Sequence, residues 1–396
     1  MQRPYVLIGV GTLLAIGGVF AVNAARPSAF NTPGTMQVPD FGAYWVGAKL
    51  NIDGRNPYSN ENLLPLQREI EPGLPEAFPL WSPPWAFAPI APLTWLDFAT
   101  ARWIWRFLQI ATLLASATAL WQTYRGRPES LIWAWAAALA WYPALQMLGI
   151  GQFSNLVLLG LAGWTAGLAA DRRLLAGVFL SLTLVKPQNL YLFGLLAAVW
   201  MLDRRQWRTA AGAVVGTLLL SAIVGIPNPH VFEQYLDAFR TSSVGHFLPP
   251  TLGMLLRLAF GEELFWLSYL PPLAGLVWAA QHYWRHRRNW RWEDEAPLLV
   301  LVSCVTSPYG WIYDQVALVL PMMALLAAES RRPNGTFRGV AIVAGLTTAC
   351  LLLHAAGCKE VTFAWLAPAC LILYLAFARE DAKKRPPLPV GERSPC

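Results

Sequence analysis

Apolar residues in this chain fall in long unbroken runs separated by short knots of charge, proline and glycine, rather than alternating with polar ones. The first run, Tyr5–Ala25, has about the ~20 residues that ~30 Å of hydrocarbon requires. It lacks a small-x-small cleavage pattern, so it predicts an uncleaved first span. Further spans are expected at about 100–121, 131–149, 152–170, 174–186, 188–202, 209–226, 264–284, 296–307, 312–328, 338–356 and 361–378, about twelve in all. A long, proline-rich segment of mixed polarity, 26–98, follows the first span, and a second loop lies at about 227–263. The first is too long for a mere connection and is expected to carry short helices and functional residues. Within it, Trp85–Leu96 is apolar but interrupted by Pro89 and Pro92, which predicts a segment dipping into the interface rather than crossing.

Two of the expected spans are short. Leu174–Val185 supplies 12 residues before Lys186-Pro187-Gln188, about 18 Å at ~1.5 Å per residue. The proline breaks the helix, which predicts Lys186 at the apex of a shallow hairpin pointing outward. Ala296–Thr306 repeats the shape and runs into Ser307-Pro308-Tyr309-Gly310-Trp311-Ile312-Tyr313-Asp314-Gln315. Broken helices are tolerated in a bilayer where they line a cavity. A lysine in the apolar zone costs roughly 2.5–3.5 kcal/mol on insertion scales, so Lys186 needs an anionic partner or bound anion, or must snorkel to the surface.

In the first loop, Val38–Lys49 leads with a single carboxylate, Asp40. Gly42, Ala43, Gly47 and Ala48 let a short helix lie close to a neighbour, and Gly54 is placed to end it. Asp40 is thereby held at a helix start, where aspartate is a favoured cap. Capping and chemistry both stand as readings of it.

Composition fixes the class. Apolar residues make up 56% of the chain, charged ones 13%, and there are 20 tryptophans, at a mean hydropathy of +0.40. An all-α integral membrane bundle is expected, one domain over 1–378 with a cytoplasmic tail at 379–396. With the N-terminus cytoplasmic, the inside loops and tail, together with Arg3, hold 20 of the 30 basic residues. The net charge of +7 therefore follows the positive-inside rule and implies no nucleic-acid partner. The five cysteines show no metal spacing. His282 and His286 are four apart but lack the flanking glutamate of a zinc helix, so they read as a wet interfacial face, and no metal is expected. Glu293-Asp294-Glu295 read as acids meeting a helix dipole.

In order along the chain, five features resemble the motif series of the glycosyltransferase 87 family, over roughly residues 5–330. They are Asp40 with Tyr44, Ala48 and Gly54-x-x-Pro57-Tyr58; the aromatic-Pro-Pro loop near Trp81–Trp85; Gly151-Gln152-x-Ser154-Asn155; Lys186-Pro187-Gln188; and Ser307-Pro308-x-x-Trp311. That family includes polyprenol-phosphate-mannose-dependent mannosyltransferases. The resemblance implies a GT-C-type multi-span bundle, an extracytoplasmic active site, a polyprenyl-phosphate-sugar donor, and Asp40 at the position of the catalytic acid/base. The chain departs from the pattern at Tyr313 and Asp314, where histidines are often found.

The residues suit such chemistry. No Asp-x-Asp, the usual metal motif for nucleotide sugars, occurs in the chain. A lipid phosphate leaves as a stable anion without a proton, so one base for the acceptor hydroxyl suffices, with cationic or amide groups to hold the phosphate. Asp40 is the candidate base. Lys186 and Gln188 are candidate phosphate contacts. Arg102 and Arg106, on one face of a helix end among tryptophans, are read either as interface anchors or as further phosphate contacts. Tyr44, Tyr58, Gln152, Asn155, His246, Tyr309 and Asp314 are candidate lining residues. The expected partners are the donor, a lipid or glycan acceptor and membrane lipids, with no cofactor. The expected location is the plasma (inner) membrane, with both termini cytoplasmic. A transporter or flippase is the alternative, since many spans, broken helices and a midplane lysine are transporter traits. Against it, the long first loop has no counterpart in the second half.

Overall fold

The computed structural model describes residues 40–241 and 248–384; the expected span at 5–25, His246 and the end of the tail lie outside the described residues. Among the described residues every regular element is an α-helix or a 3₁₀ turn. In hydrocarbon no water is available to satisfy an open sheet edge, so a chain this apolar closes its backbone hydrogen bonds within helices.

Five helices are long and apolar enough to cross a membrane: Phe98–Thr123, Trp207–Gly225, Ile312–Ser330, Gly335–Ala355 and Glu360–Phe377. A sixth arises if Pro128–Ala140 and Tyr142–Ile150, bent by 60° at their junction, form one broken span. The other expected intervals also hold helices, but shorter ones, such as Ser154–Ala169 and Arg173–Thr183. Length and apolarity thus support five or six crossings among the described residues rather than about twelve. Proline is one physical reason. The run at 131–149, expected as one straight span, breaks at Trp141 because the ring of Pro143 would meet the carbonyl of Leu139 if the helix continued.

Small residues set the tightest helix crossing. A Cβ on Gly177 would stand 2.0 Å from Thr209 O, and one on Gly212 would stand 2.0 Å from Leu174 O, so Arg173–Thr183 and Trp207–Gly225 touch backbone to backbone. Trp164, Trp200 and Trp292 fill a core edge to face, with centroids 5.0 Å apart for Trp164–Trp292 and 5.7 Å for Trp200–Trp292. Val214, Leu218, Leu219 and Ile223 form an exposed apolar stripe on Trp207–Gly225, the face a bilayer would cover.

The described part of the first loop is folded. Helix Asp40–Ile52 buries ten of its 13 residues, and its end carries Gly54 at φ 72°. Trp45 Nε1 donates to Leu93 O at 3.1 Å and Asn51 Nδ2 to Val224 O at 3.0 Å, pinning this helix between the loop and the membrane helices. The apolar segment after Trp81 forms two 3₁₀ turns, Pro84–Phe87 and Ala91–Trp95. At the other end of Phe98–Thr123, about 39 Å away for 26 residues, Arg331 Nη1 donates to Tyr124 O at 2.8 Å and to Arg125 O at 3.0 Å. The arginine-rich turns and the Asp40 loop therefore occupy opposite ends of the bundle.

Candidate active site

The site begins at a left-handed turn. Helix Tyr142–Ile150 stops at Gly151, with φ 79° and ψ 34°, where a Cβ would stand 2.5 Å from Phe41 Cβ. Glycine is required there by both backbone conformation and space. Trp105 Nε1 donates to Gly151 O at 2.9 Å, and Gln109 Nε2 donates to Gln152 O at 2.8 Å, so the Phe98–Thr123 helix grips the turn. The Gln152 side chain then reaches Asp40, its Nε2 donating to Oδ2, while its Oε1 accepts from Phe153 N at 3.1 Å. Tyr44 stacks on Phe153 with centroids 3.8 Å apart, its hydroxyl within reach of the Ser82 and Gln152 side chains.

The two proline breaks meet. Ser307 Oγ lies 3.1 Å from Asn189 Oδ1 and 2.7 Å from Tyr309 O, its one proton shared among these acceptors, joining the loop after Trp292–Val305 to the turn at Pro187–Leu190. Trp85 Nε1 donates to Leu184 O at 2.8 Å and fastens the proline-rich loop to the same break. Lys186, 8% exposed, does not snorkel. Its Nζ lies 2.6 Å from Asp314 Oδ1 and 4.6 Å from the centroid of the Tyr313 ring. Asp314 also accepts from Ser154 Oγ at 2.8 Å and from Trp311 N at 2.9 Å. The lysine's anionic partner is thus supplied by the protein, at Asp314.

These groups share one electrostatic environment. Burial pushes the Asp40 carboxyl up to about 6; the Lys186 ammonium and the Gln152 amide pull against the rise, and the Asp314 carboxylate adds to it. A carboxylate titrating just below neutrality is suited to accept a proton. Burial pushes the Tyr309 hydroxyl up to about 12 and Tyr44 well above its ordinary value, so both stay neutral and can hydrogen-bond a ligand. Trp311 Nε1 donates to Tyr309 Oη at 2.9 Å.

Asp40, Tyr44, Gln152, Lys186, Tyr309 and Asp314 are therefore brought together. The other candidates stand apart. Tyr58 is buried under the loop and donates to Ser82 O at 2.8 Å. Asn155 is fully buried and donates to Thr112 Oγ1 at 3.0 Å, a helix-packing contact. Gln188 meets Ser307 through its main-chain carbonyl, at 3.3 Å. Arg102 lies over the Phe98 ring at 5.8 Å, and Arg106 donates to Gly149 O at 3.1 Å, both on an outward flank. His282 Nε2 lies 2.7 Å from Glu295 Oε2, and among the described residues no three His, Cys, Asp or Glu side chains gather closely enough to hold a metal ion. Ser154, Tyr313 and Gln109 belong to the site but were not among the candidates. Gln109 had a sequence signal, being a lone amide within an apolar run.

A helical membrane bundle with a buried carboxylate and an ion-paired lysine at one end defines the architecture; comparison with known proteins gives the family. The family model for glycosyltransferase family 87 matches residues 82–308, more than half of the 396. The chain belongs to this family and is a membrane glycosyltransferase. Asp40 and Asp314 lie outside the matched segment. No curated protein and no solved structure matches the chain.

Proposed function

We propose that the enzyme transfers a hexose, mannose being the best-known cargo of the family it resembles, from a polyprenyl-phosphate-sugar donor to a hydroxyl of a lipid-linked or cell-envelope glycan acceptor. Asp40 takes the hydroxyl proton as the oxygen attacks the anomeric carbon. The bond to the donor phosphate breaks on the opposite face, inverting the centre, and the polyprenyl phosphate departs as an anion beside Lys186. Because that leaving group needs neither protonation nor a Lewis acid, the reaction proceeds without a metal. The site faces the extracytoplasmic side of the plasma (inner) membrane, with both termini cytoplasmic; the placement of the arginine-rich turns opposite Asp40 supports this orientation.

The observation that carries the reading is that Asp40, held by Gln152, and Lys186, paired with Asp314 that in turn binds Ser154, converge on the same turn. Membranes containing the protein should transfer label from a radiolabelled polyprenyl-phosphate hexose, and Asp40→Asn should slow transfer by about 10²–10⁴-fold at unchanged expression. A fully active Asp40→Asn variant would remove the base from the mechanism. A transporter or flippase would instead move the labelled lipid across sealed vesicles without consuming it.

A further inference from the structure

Gln152 has only one way to face Asp40. Its Oε1 is occupied by the Phe153 N–H at 3.1 Å, which turns the –NH₂ end toward Asp40 Oδ2. Its main chain is held by Gln109, whose Nε2 donates to Gln152 O at 2.8 Å and to Met147 O at 3.4 Å. Gln109 is fully buried, and its Oε1 has no hydrogen-bond partner among the described residues. Turning the Gln109 amide over would set its oxygen against two carbonyl oxygens, so that orientation is fixed as well. A carboxylate accepts from –NH₂ on either oxygen, whereas a carboxylic acid whose proton lies on Oδ2 would place O–H against N–H.

We propose that Gln152 is a positioning residue that holds Asp40 in its ionised, proton-accepting form with Oδ2 occupied, and that Gln109 is the clamp that keeps Gln152 in place. This rests on the reading of Asp40 as the base, and assigns to the Gln109–Gln152 pair a role distinct from lining the substrate. Other charges bear on Asp40 and remain in every variant: Lys186 from the first proline break and Asp314 from the second, with Tyr44, Tyr309 and Tyr313 feeling its charge in turn. Among the described residues, only Gln152 donates to it in a fixed orientation from a neutral side chain.

The test reads Asp40 directly as well as through activity. The infrared carbonyl band of protonated Asp40, isolated by subtracting the spectrum of Asp40→Asn, is titrated in the full-length protein in detergent, beside the pH dependence of kcat at saturating donor. Removal of one donor to a carboxylate in Gln152→Met is expected to raise the Asp40 midpoint by about one pH unit, with the acid limb of kcat following it. Gln152→Glu is expected to raise it further, because two carboxyls would then share a proton. Gln109→Leu should move it in the same direction by less. Thermal melting of each variant identifies folded protein, and Gln152→Glu preserves side-chain shape should Gln152→Met fold poorly. An unmoved infrared midpoint in folded Gln152 variants overturns the proposal whatever the transfer assay gives. A moved midpoint with an unmoved acid limb upholds the link between Gln152 and Asp40 and rejects Asp40 as the base.

Discussion

Lys186 Nζ lies 2.6 Å from Asp314 Oδ1, so one buried ion pair joins two helix breaks that are 128 residues apart in the chain. Removing one partner strands the other charge, which typically costs about 3–5 kcal/mol, whereas replacing both with apolar groups of similar size is often neutral. Asp314→Ala is expected to lower the melting temperature in detergent sharply, and Lys186→Met combined with Asp314→Leu to recover most of the loss. Equal melting of the single and double variants would show that the pair carries no coupling energy.

Asp40 sets stability against activity. Its carboxyl titrates at about 6 in the folded protein, above the ordinary carboxylate value of ~3.9, so the native state holds this proton more tightly than the unfolded chain. The associated stabilisation is complete below the ordinary value and is lost as pH rises through about 6. At pH 7.5 the ionised group then costs the fold on the order of 2–3 kcal/mol. Asp40→Asn should melt higher than wild type at pH 7.5, lose that advantage near pH 4, and transfer sugar 10²–10⁴-fold more slowly, the usual worth of a positioned base. Equal melting at both pH values would argue against burial as the cause of the shift.

Gly151→Ala puts a methyl group where φ is 79° and Phe41 Cβ is 2.5 Å away. A cost of about 1–3 kcal/mol is expected, with a drop in kcat of about tenfold or more, because Gln152 and Phe41 flank Asp40. Gly149→Ala is the control: nothing lies within 4 Å of a Cβ there, and its stability should match or slightly exceed wild type.

Lys186→Ala should raise KM for the polyprenyl-phosphate donor more than KM for the acceptor. Steady-state kinetics with each substrate varied in turn measures this, and an equal rise in both would show that the lysine holds the site together rather than the phosphate.

The short helix at Asp40 and its end near Gly54 were legible because both depend on neighbouring residues: small side chains that permit close packing and a glycine that accepts positive φ. The breaks at Pro187 and Pro308 were legible for the same reason, since a proline lacks the N–H that would carry a helix past it and each stands beside polar residues that stop an apolar run. Gln152 was legible as a candidate but its contact was not, because its partner Asp40 is 112 residues away. Arg102 and Arg106 had the charge for phosphate binding and the spacing for one helix face, yet packing turned that face outward. Among the described residues five helices, or six if the pair bent by 60° is one span, have the length and apolarity to cross, since several of the apolar runs fold into helices of fewer than 18 residues.

What the sequence determined by itself was the solvent and the repertoire: an apolar, tryptophan-rich chain must close its backbone in helices within lipid, and prolines such as Pro187 and Pro308 and glycines such as Gly54 and Gly151 mark where some of those helices stop. Only the tertiary structure decided that Asp314 pairs with Lys186, that Gln152 reaches Asp40, and that these four meet in one place. The physical reason is that an ion pair or hydrogen bond acts over a few ångströms of space and is indifferent to separation along the chain, so partners more than a hundred residues apart leave no local pattern to read.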